Sequence, residues 1–541
     1  MSKIIKKDTP AELKFGGGIH SRASEEDIHP FECANGQNFA LDLDNMQFRP
    51  RKPFDLIGTL PNAGQVRGGA SLLKTDGTVS ILFQGNDTVY SWDGISTFTS
   101  VGTVDSNAKI RGRLESNWQL DDIVLITDLN LADSVKKWDG TTFSNAAFTD
   151  ETLASFGTFK ARYCYVTKER AIFSNVESNG TATPHLIIGS KRSDYTNITV
   201  ANRPSSSLSD LDPWFLIQPD NRYINGMVES FGKTVISSQQ GSMYQLTGSS
   251  AKDFAMDEFG VRMNAAGDES ISAMGNDIIF GRQGRIESVS DTDRSGDTEL
   301  NDLSWWISDQ IENEGDWLLA ANSRLQRAYF HPVGGSKIWV FHKPVFDIGR
   351  LREMTGSKAE ALSPWSKWVT AHEMTFNPTF MMPMLDPVDG LEYVFMGDSS
   401  GNIYRLEGTG EGDGGSASIE TFRLSGLMSA QYGGKMFDLE GYARYRRANA
   451  ISLVMNYEFA GEHVFNETIT LTTQGQTFDA VYGTTAYYGT QYFYGTDEEK
   501  LIRQRFAVPG SSNDFQLRTT VDSTQDWTIN EIGLRFTQAT P

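Results

Sequence analysis

Four copies of one six-residue pattern constrain the fold of this chain more than any other feature of its sequence. The copies are Val89–Gly94, Val135–Gly140, Met243–Gly248 and Ile403–Gly408. Each copy reads as aliphatic, variable, polar, large apolar, polar and Gly, so apolar side chains alternate on one face before a turn residue. A period of two that ends on Gly predicts β-strands closed by tight turns.

Each copy belongs to a larger unit in which another apolar strand comes first. Marker residues 92, 138, 246, 286, 339 and 406 lie 46, 108, 40, 53 and 67 residues apart, and the gap of 108 has room for one divergent copy. Antiparallel units of this length are typical of β-propeller blades, because one blade buries its faces only against its neighbours. We therefore expect an all-β protein in which residues 61–410 form a β-propeller with six or seven blades. Trp92 and Trp138 are predicted to occupy equivalent buried positions in neighbouring blades.

The segments on either side of the repeats differ in composition. Residues 1–60, with three consecutive glycines at 16–18, predict an N-terminal extended arm. Residues 409–416 are rich in Gly and predict a flexible linker. Residues 417–541 alternate aromatic and polar side chains in short runs and predict a C-terminal β-sandwich-like domain. The best helix candidate is Leu303–Ile311.

Charge and cysteine content narrow the class of protein. The formal net charge is −21, which disfavours a protein that grips phosphate backbones through Lys and Arg. Cys33 and Cys164 are too few and too far apart in sequence for a disulfide framework, so folding in a reducing compartment is expected. No apolar run reaches membrane-spanning length, and we expect synthesis in the cytoplasm.

The histidines and the absence of common catalytic motifs bear on enzymatic activity. The seven histidines have no metal-ligand spacing, and neither a nucleophile elbow nor a P-loop is present, so we expect no enzymatic activity. His331 and His342 lie eleven residues apart in adjoining predicted strands, and we interpret them as structural.

The segment 291–302 has the oxygen spacing of a twelve-residue calcium loop. Asp291, Asp293, Ser295, Glu299 and Asp302 fall at positions one, three, five, nine and twelve, with Gly296 at the sharp turn. Arg294 inside the loop and Asp302 in place of the usual Glu depart from that pattern. The alternative is a polar loop without metal, in which Asp302 caps the helix that begins at 303. No other cofactor is expected.

Several short motifs resemble the propeller-type tail proteins of short-tailed bacteriophages, known as the nozzle, tail tubular protein B or packaged-DNA stabilisation protein. The likeness runs through Gly241–Gly248, Gly275–Phe280 and Gly284–Ser290, and continues in Ser363–Trp368 and Gly397–Tyr404. It covers residues 60–541 in architecture but only short stretches in identity.

That resemblance implies a structural protein of the virion tail. It implies a homo-oligomer, a hexameric ring bound to head-to-tail adaptor proteins, which retains packaged DNA and anchors tail fibres or spikes. Double-stranded DNA would pass through the ring lumen during ejection without specific binding. Two alternatives stay open, because fold does not fix function: a carbohydrate-binding or carbohydrate-cleaving propeller, and a scaffold propeller for protein partners.

Overall fold

The fold was analysed in a computed structural model of the chain. The structure describes residues 11–13, 15, 17–24, 27–29, 31–41, 47–112, 122–150, 157–230, 233–239, 241–260, 265–267, 269–275, 277–291, 298–347, 362–369, 377–408, 413, 417–425, 428–429, 435–446, 451–459, 463–471, 502–508, 514–523 and 527–539. They divide into a larger unit, Phe54–Ile338 with Thr375–Gly408, and a smaller unit, Met1–Pro53 with Trp339–Met374 and Thr409–Pro541.

The N-terminal strands are short and lie in the smaller unit, followed by one strand of the larger unit. Their bounds are β1 (Ala11–Leu13), β2 (Asn35–Gln37), β3 (Phe39–Ala40), β4 (Arg49–Pro50) and β5 (Asp55–Thr59).

Five four-stranded antiparallel groups follow along the larger unit, and we number them as blades. Blade 1 is β6 (Val66–Leu73), β7 (Val79–Gly85), β8 (Thr88–Trp92) and β9 (Phe98–Thr103). Blade 2 is β10 (Ile110–Gly112), β11 (Val124–Asp128), β12 (Lys136–Trp138) and β13 (Phe143–Asn145). Blade 3 is β15 (Phe159–Thr167), β16 (Arg170–Ser178), β17 (Thr181–Gly189) and β19 (Trp214–Ile217). Two short strands, β14 (Thr149–Asp150) before β15 and β18 (Asn197–Ile198) between β17 and β19, pair with each other.

The next two blades are built in the same way. Blade 4 is β20 (Ile224–Ser230), β21 (Lys233–Ser238), β22 (Met243–Thr247) and β23 (Ala255–Gly260). Blade 5 is β24 (Ile271–Met274), β25 (Asp277–Arg282), β26 (Arg285–Asp291) and β27 (Thr298–Asp302). A 3₁₀ turn, Trp305–Ile307, and the short helix α1 (Ser308–Ile311) come after it, where the sequence predicts a helix.

The remaining strands complete the larger unit and form the rest of the smaller one. In the larger unit, blade 6 contains β28 (Trp317–Asn322) and β29 (Arg327–Pro332), and the chain crosses into the smaller unit within β30 (Ile338–His342). After β31 (Trp365–Trp368), blade 7 comprises β32 (Pro378–Leu385), β33 (Glu392–Asp398) and β34 (Asn402–Arg405). The C-terminal strands are β35 (Ile419–Leu424), β36 (Met428–Ser429), β37 (Lys435–Arg446), β38 (Ile451–Phe459), β39 (His463–Leu471), β40 (Ile502–Val508), β41 (Asp514–Ser523) and β42 (Thr528–Ala539).

The seven blades of the larger unit close into a ring. Their first strands follow one another around a common centre. The first strands of blades 1 and 2, β6 and β10, pair with each other, and β11 of blade 2 contacts β15 of blade 3. From β15 onward each first strand contacts the next, in the order β15, β20, β24, β28, β32 and again β6. The ring is sealed because β5, from the start of the unit, pairs with β34 as the outer strand of blade 7. The larger unit is therefore a seven-bladed β-propeller, and the predicted all-β fold is confirmed.

The recurring sequence pattern marks one structural position. Its four copies coincide with β8, β12, β22 and β34, each the third strand of its blade. The gap of 108 residues is explained by blade 3, whose third strand, β17, lacks the closing signature. Trp92 packs in the cluster between blades 7 and 1, and Trp138 packs in the cluster between blades 1 and 2. The predicted equivalence of the two indoles is thus confirmed.

The smaller unit combines chain segments that are far apart in sequence. One sheet has the order β1-β42-β37-β40, and another has the order β2-β35-β41-β38-β39 with β36 paired to β41. The N-terminal segment therefore contributes edge strands to sheets built mainly from residues 419–539. The aromatic rings of Phe48 and Trp527 pack edge to face with centroids 5.1 Å apart.

Two details differ from the sequence-based expectations. The N-terminal segment of the smaller unit ends at Pro53 and not at residue 60, because β5 pairs with β34 in the propeller. Asp413, in the segment predicted to be a flexible linker, is buried and accepts two hydrogen bonds from the Arg51 guanidinium, one of 2.8 Å. The linker prediction is wrong at this residue because a bidentate ion pair holds its carboxylate.

Candidate functional site

The candidate site is the cavity at the centre of the propeller, where the first strands converge. Its volume is about 90 Å³. Its charged lining residues are Arg111, Arg162, Glu269 and Glu392, and thioether side chains from β32 line another part of the wall. In a propeller this is where groups from different blades come together, so these four side chains are the first candidates for functional groups.

Glu269 connects opposite parts of the ring. Its carboxylate forms ion pairs with Lys109 and Arg111, which lie at the start of the inner strand of blade 2. The Arg111 guanidinium also donates a 2.9 Å hydrogen bond to the carbonyl oxygen of Arg67 and lies 4.9 Å from the centre of the Phe380 ring. One arginine therefore contacts residues of blades 1, 2 and 7 while it binds a carboxylate from the start of blade 5.

The other two charged groups of the cavity are bound by neighbours as well. The Arg162 guanidinium stacks over the Tyr223 ring, 4.9 Å from its centre. The Glu392 carboxylate accepts a 2.7 Å hydrogen bond from the backbone N–H of Ser323. Each charge in the cavity is thus used in a contact between parts of the propeller.

Sequence reasoning did not find this cluster. Lys109 and Glu269 are 160 residues apart in the chain. Neither residue belongs to a motif, and only the closure of the ring brings them together. The sequence carries only a weak signal for this cluster, namely two cations, Lys109 and Arg111, close together in an acidic chain.

The two histidines that the sequence singled out have separate partners. Nδ1 of His331 lies 3.0 Å from the carbonyl oxygen of Lys337, and Nε2 of His342 lies 2.8 Å from Oγ of Ser366. Burial lowers the pKa of His331 to about 4, so this imidazole is neutral at pH 7. Both side chains are buried, which agrees with their structural interpretation.

The cysteines are buried thiols. Desolvation raises the pKa of Cys33 to about 11 and raises the pKa of Cys164 further above its usual range. Both groups therefore stay protonated at neutral pH, and a protonated thiol is a poor nucleophile and a poor metal ligand.

The predicted calcium segment, 291–302, runs from the last residue of β26 to the last residue of β27. Asp293 and Ser295 fall outside the described residues, and Asp291 and Glu299 belong to the paired strands. The Asp302 carboxylate accepts hydrogen bonds from the backbone N–H of Ser304, at 3.0 Å, and from its hydroxyl, at 2.8 Å. Asp302 thus holds the turn before the 3₁₀ segment, without forming the side-chain N-cap predicted for it. Calcium binding stays a prediction.

The described part of the chain contains neither a metal-binding cluster nor a membrane-spanning helix. Within it, no group of three or more His, Cys, Asp or Glu side chains is arranged to hold a metal ion. Within the same residues, no helix has both the length and the apolar character needed to cross a bilayer.

Comparisons with known proteins return structural neighbours alone. No family model and no curated protein matches the chain. Catalytically inactive virginiamycin B lyase from Staphylococcus aureus, solved with quinupristin, is 12% identical with a TM-score of 0.38, over 64% of this chain and 97% of that one. YCF48 bound to D1 peptide is 15% identical with a TM-score of 0.39, over 65% and 95%. BBS1N in complex with ARL6DN is 9% identical with a TM-score of 0.38, over 63% and 93%. Such low identities and TM-scores carry no argument about function.

Proposed function

We propose that this protein is a non-catalytic propeller scaffold that binds other proteins, and that its specific role is that of a tail nozzle ring in a short-tailed bacteriophage. The observation that carries the scaffold role is the central cavity, in which the four charged lining side chains are all engaged by residues of the propeller itself. Charges used in this way stabilise the closed ring instead of meeting a substrate.

The nozzle role is the finer part of the proposal. It is supported by the motif resemblance, by the acidic composition, and by a chain that builds two β units from interleaved segments. A wall past which DNA slides benefits from an acidic surface, because cations on it would hold the passing phosphates. Two units also give one subunit separate surfaces for a neighbouring subunit, an adaptor protein or a fibre.

Electron microscopy of the purified chain tests this role directly. Mixed with isolated adaptor rings of the phage that encodes it, the protein is expected to add a sixfold layer, with no such layer on adaptor rings of an unrelated phage. A monomer that leaves the rings bare but binds glycans on an array would instead favour the carbohydrate-binding alternative.

Genetic removal gives the second test. Particles assembled without this protein are expected to lose their packaged DNA and to lack fibres, since the proposed ring retains the genome and anchors them. Particles that lack the protein yet keep their genomes and infect normally would contradict the nozzle role. The scaffold role would then have to be tested by identifying the protein that binds the propeller.

A further inference from the structure

The two most exposed large apolar side chains of the described residues lie on two turns of the propeller. Ile95 is 80% exposed and follows the third strand of blade 1, and Val388 is 65% exposed and follows the first strand of blade 7. Leu391, at the end of the same blade 7 turn, is 41% exposed. Single exposed apolar residues are common, but neighbouring ones mark interaction sites.

These two turns touch where the ring closes between blades 7 and 1. A methyl group added at Gly94 would lie 3.1 Å from Cγ of Pro387 and 3.2 Å from Cγ2 of Val388. The turn that carries Gly94 and Ile95 therefore lies against the turn that carries Pro387 and Val388, and we call Ile95, Pro387, Val388 and Leu391 the rim surface.

Hydrogen bonds hold both turns in place. The Asp93 carboxylate accepts the backbone N–H groups of Ile95, Ser96 and Thr97 at 2.8 to 2.9 Å. In the other turn, the Asp386 carboxylate accepts the N–H of Val388 at 2.8 Å and a hydrogen bond from Arg405 at 2.6 Å. A surface fixed in this way loses little conformational entropy when a partner binds.

Two carboxylates lie beside the rim surface. Asp93 and Asp389 are both exposed, one in each turn. Backbone N–H groups, that of Thr97 first, lower the pKa of Asp93 to about 2, so this carboxylate is ionised at any physiological pH. Apolar side chains flanked by two carboxylates are complementary to a segment that carries aliphatic residues between lysines.

The chain itself contains such a segment near its N-terminus. Residues 3–7 read Lys-Ile-Ile-Lys-Lys, two adjacent isoleucines flanked by three lysines in a protein of net charge −21. The first described strand, β1, begins four residues later at Ala11, so the segment is tethered to the folded protein by a short connection.

We propose that the rim surface binds residues Lys3–Lys7 of a second copy of this chain. The contact is head to tail, since one copy supplies the rim surface and the other supplies the segment, and such contacts generate rings when the rotation closes. The inference deepens the proposed function, because a ring needs a defined contact between copies.

Sedimentation velocity of the full chain tests this contact through two double variants. Ile95→Asp with Val388→Asp destroys the rim surface, and Ile4→Asp with Ile5→Asp destroys the segment. Each is expected to weaken self-association by about tenfold or more, because a charge replaces buried apolar area. An equimolar mixture of the two is expected to form heterodimers, since each variant keeps the half that the other lacks. Val333→Asp, a control at an exposed valine of blade 6, is expected to leave association unchanged.

Charge reversal provides an independent readout. Asp389→Lys is expected to weaken association, and combining it with Lys6→Glu and Lys7→Glu in the same chain is expected to restore it. A wild-type chain that stays monomeric, or association unchanged by the double variants, would overturn the inference. A mixture of the two double variants that remains monomeric would also overturn it.

Failure of this contact is distinguishable from failure of the proposed function. Sixfold layers on adaptor rings that persist with the Ile95→Asp and Val388→Asp variant would reject the rim contact and leave the nozzle role standing. Wild-type protein that self-associates through the rim surface but never binds adaptor rings would support the contact between copies and reject the nozzle role.

Discussion

The connection after the third strand is held in opposite ways in blades 1 and 3. In blade 1 a carboxylate, Asp93, accepts three backbone N–H groups of a short turn. In blade 3 the Arg170 guanidinium donates to the carbonyl oxygens of Ser190, Asp210 and Asp212 in the longer connection 190–213, the last bond measuring 2.9 Å. The same position in the fold is thus stabilised once by an anion and once by a cation.

The difference follows from the length of the connection. A short turn points consecutive N–H groups toward its first residue, which favours an Asp there, and Asp139 repeats the arrangement in blade 2. In the blade 4 turn the acceptor lies near the end instead, where Asp253 accepts the N–H groups of Ser249 and Ser250. A long connection folds back over the blade and buries carbonyl oxygens, which need a donor. Arg170, which is 1% exposed, supplies it, and desolvation lowers its pKa to about 10.

The largest expected effect concerns the indoles that mark blades 1 and 2. Trp92→Ala and Trp138→Ala are each expected to lower the free energy of unfolding by roughly 3 to 5 kcal/mol, because each indole fills the space between two blades. Urea denaturation followed by circular dichroism measures the loss. Trp305→Ala, at a residue that is 43% exposed, is the matched control and should cost clearly less. Unequal losses at 92 and 138 would break the equivalence of the two blades.

The next effect tests the cation of blade 3. Arg170→Met places an unbranched apolar side chain there but removes every donor, so one buried and two part-buried hydrogen bonds to carbonyl oxygens are lost. A loss of about 3 kcal/mol is expected in the same denaturation assay. Arg192→Ala is the control, because Arg192 is exposed and pairs with Glu169 at 2.8 Å, and an exposed pair of this kind contributes little to stability. Equal small losses for both variants would show that the guanidinium does not hold the connection.

A smaller effect distinguishes the anion of blade 1 by its pH dependence. The pKa of Asp93 is about 2 in the folded protein against an ordinary value of 3.8, so its ionised form stabilises the fold above pH 4, and this contribution is lost as the pH falls toward 2. Asp93→Asn keeps an acceptor oxygen but removes the charge. The variant is expected to be less stable than wild type at pH 7, with a difference that shrinks between pH 4 and pH 2.

Thermal melting at each pH measures that difference. A gap between wild type and Asp93→Asn that stays constant down to pH 2 would contradict the role of the charge. Arg170→Met, whose altered group does not titrate in this range, should keep a constant gap and serves as the control.

The smallest expected effect concerns the connection between β26 and β27 in blade 5, which falls outside the described residues and where the sequence predicts calcium. Bound calcium would be a third way to hold this connection, and it predicts a melting temperature that rises with added calcium and falls with a chelator. Asp291→Ala with Asp293→Ala should abolish the response without unfolding the protein. An unchanged melting temperature would leave a polar loop whose end is held by Asp302 and Ser304.

The candidate site shows how far sequence reasoning reaches. The indoles at 92 and 138 were predicted to be buried between blades because their spacing repeats and their strands alternate. The Glu269 cluster was not predicted, because its cations are 158 and 160 residues away and no local pattern relates them. Asp413 was misread as part of a flexible linker because Gly-rich composition says nothing about a distant arginine.

Sequence alone determined the strands, the repeat and the β-propeller, because each depends on a period of two and on turn residues within a few positions of one another. Only the tertiary structure decided that there are seven blades, that β5 seals the ring, and that the turn at Gly94 lies against Val388. Each of these depends on two segments that are far apart in the chain and meet only when the ring closes, and a local pattern carries no information about such a meeting.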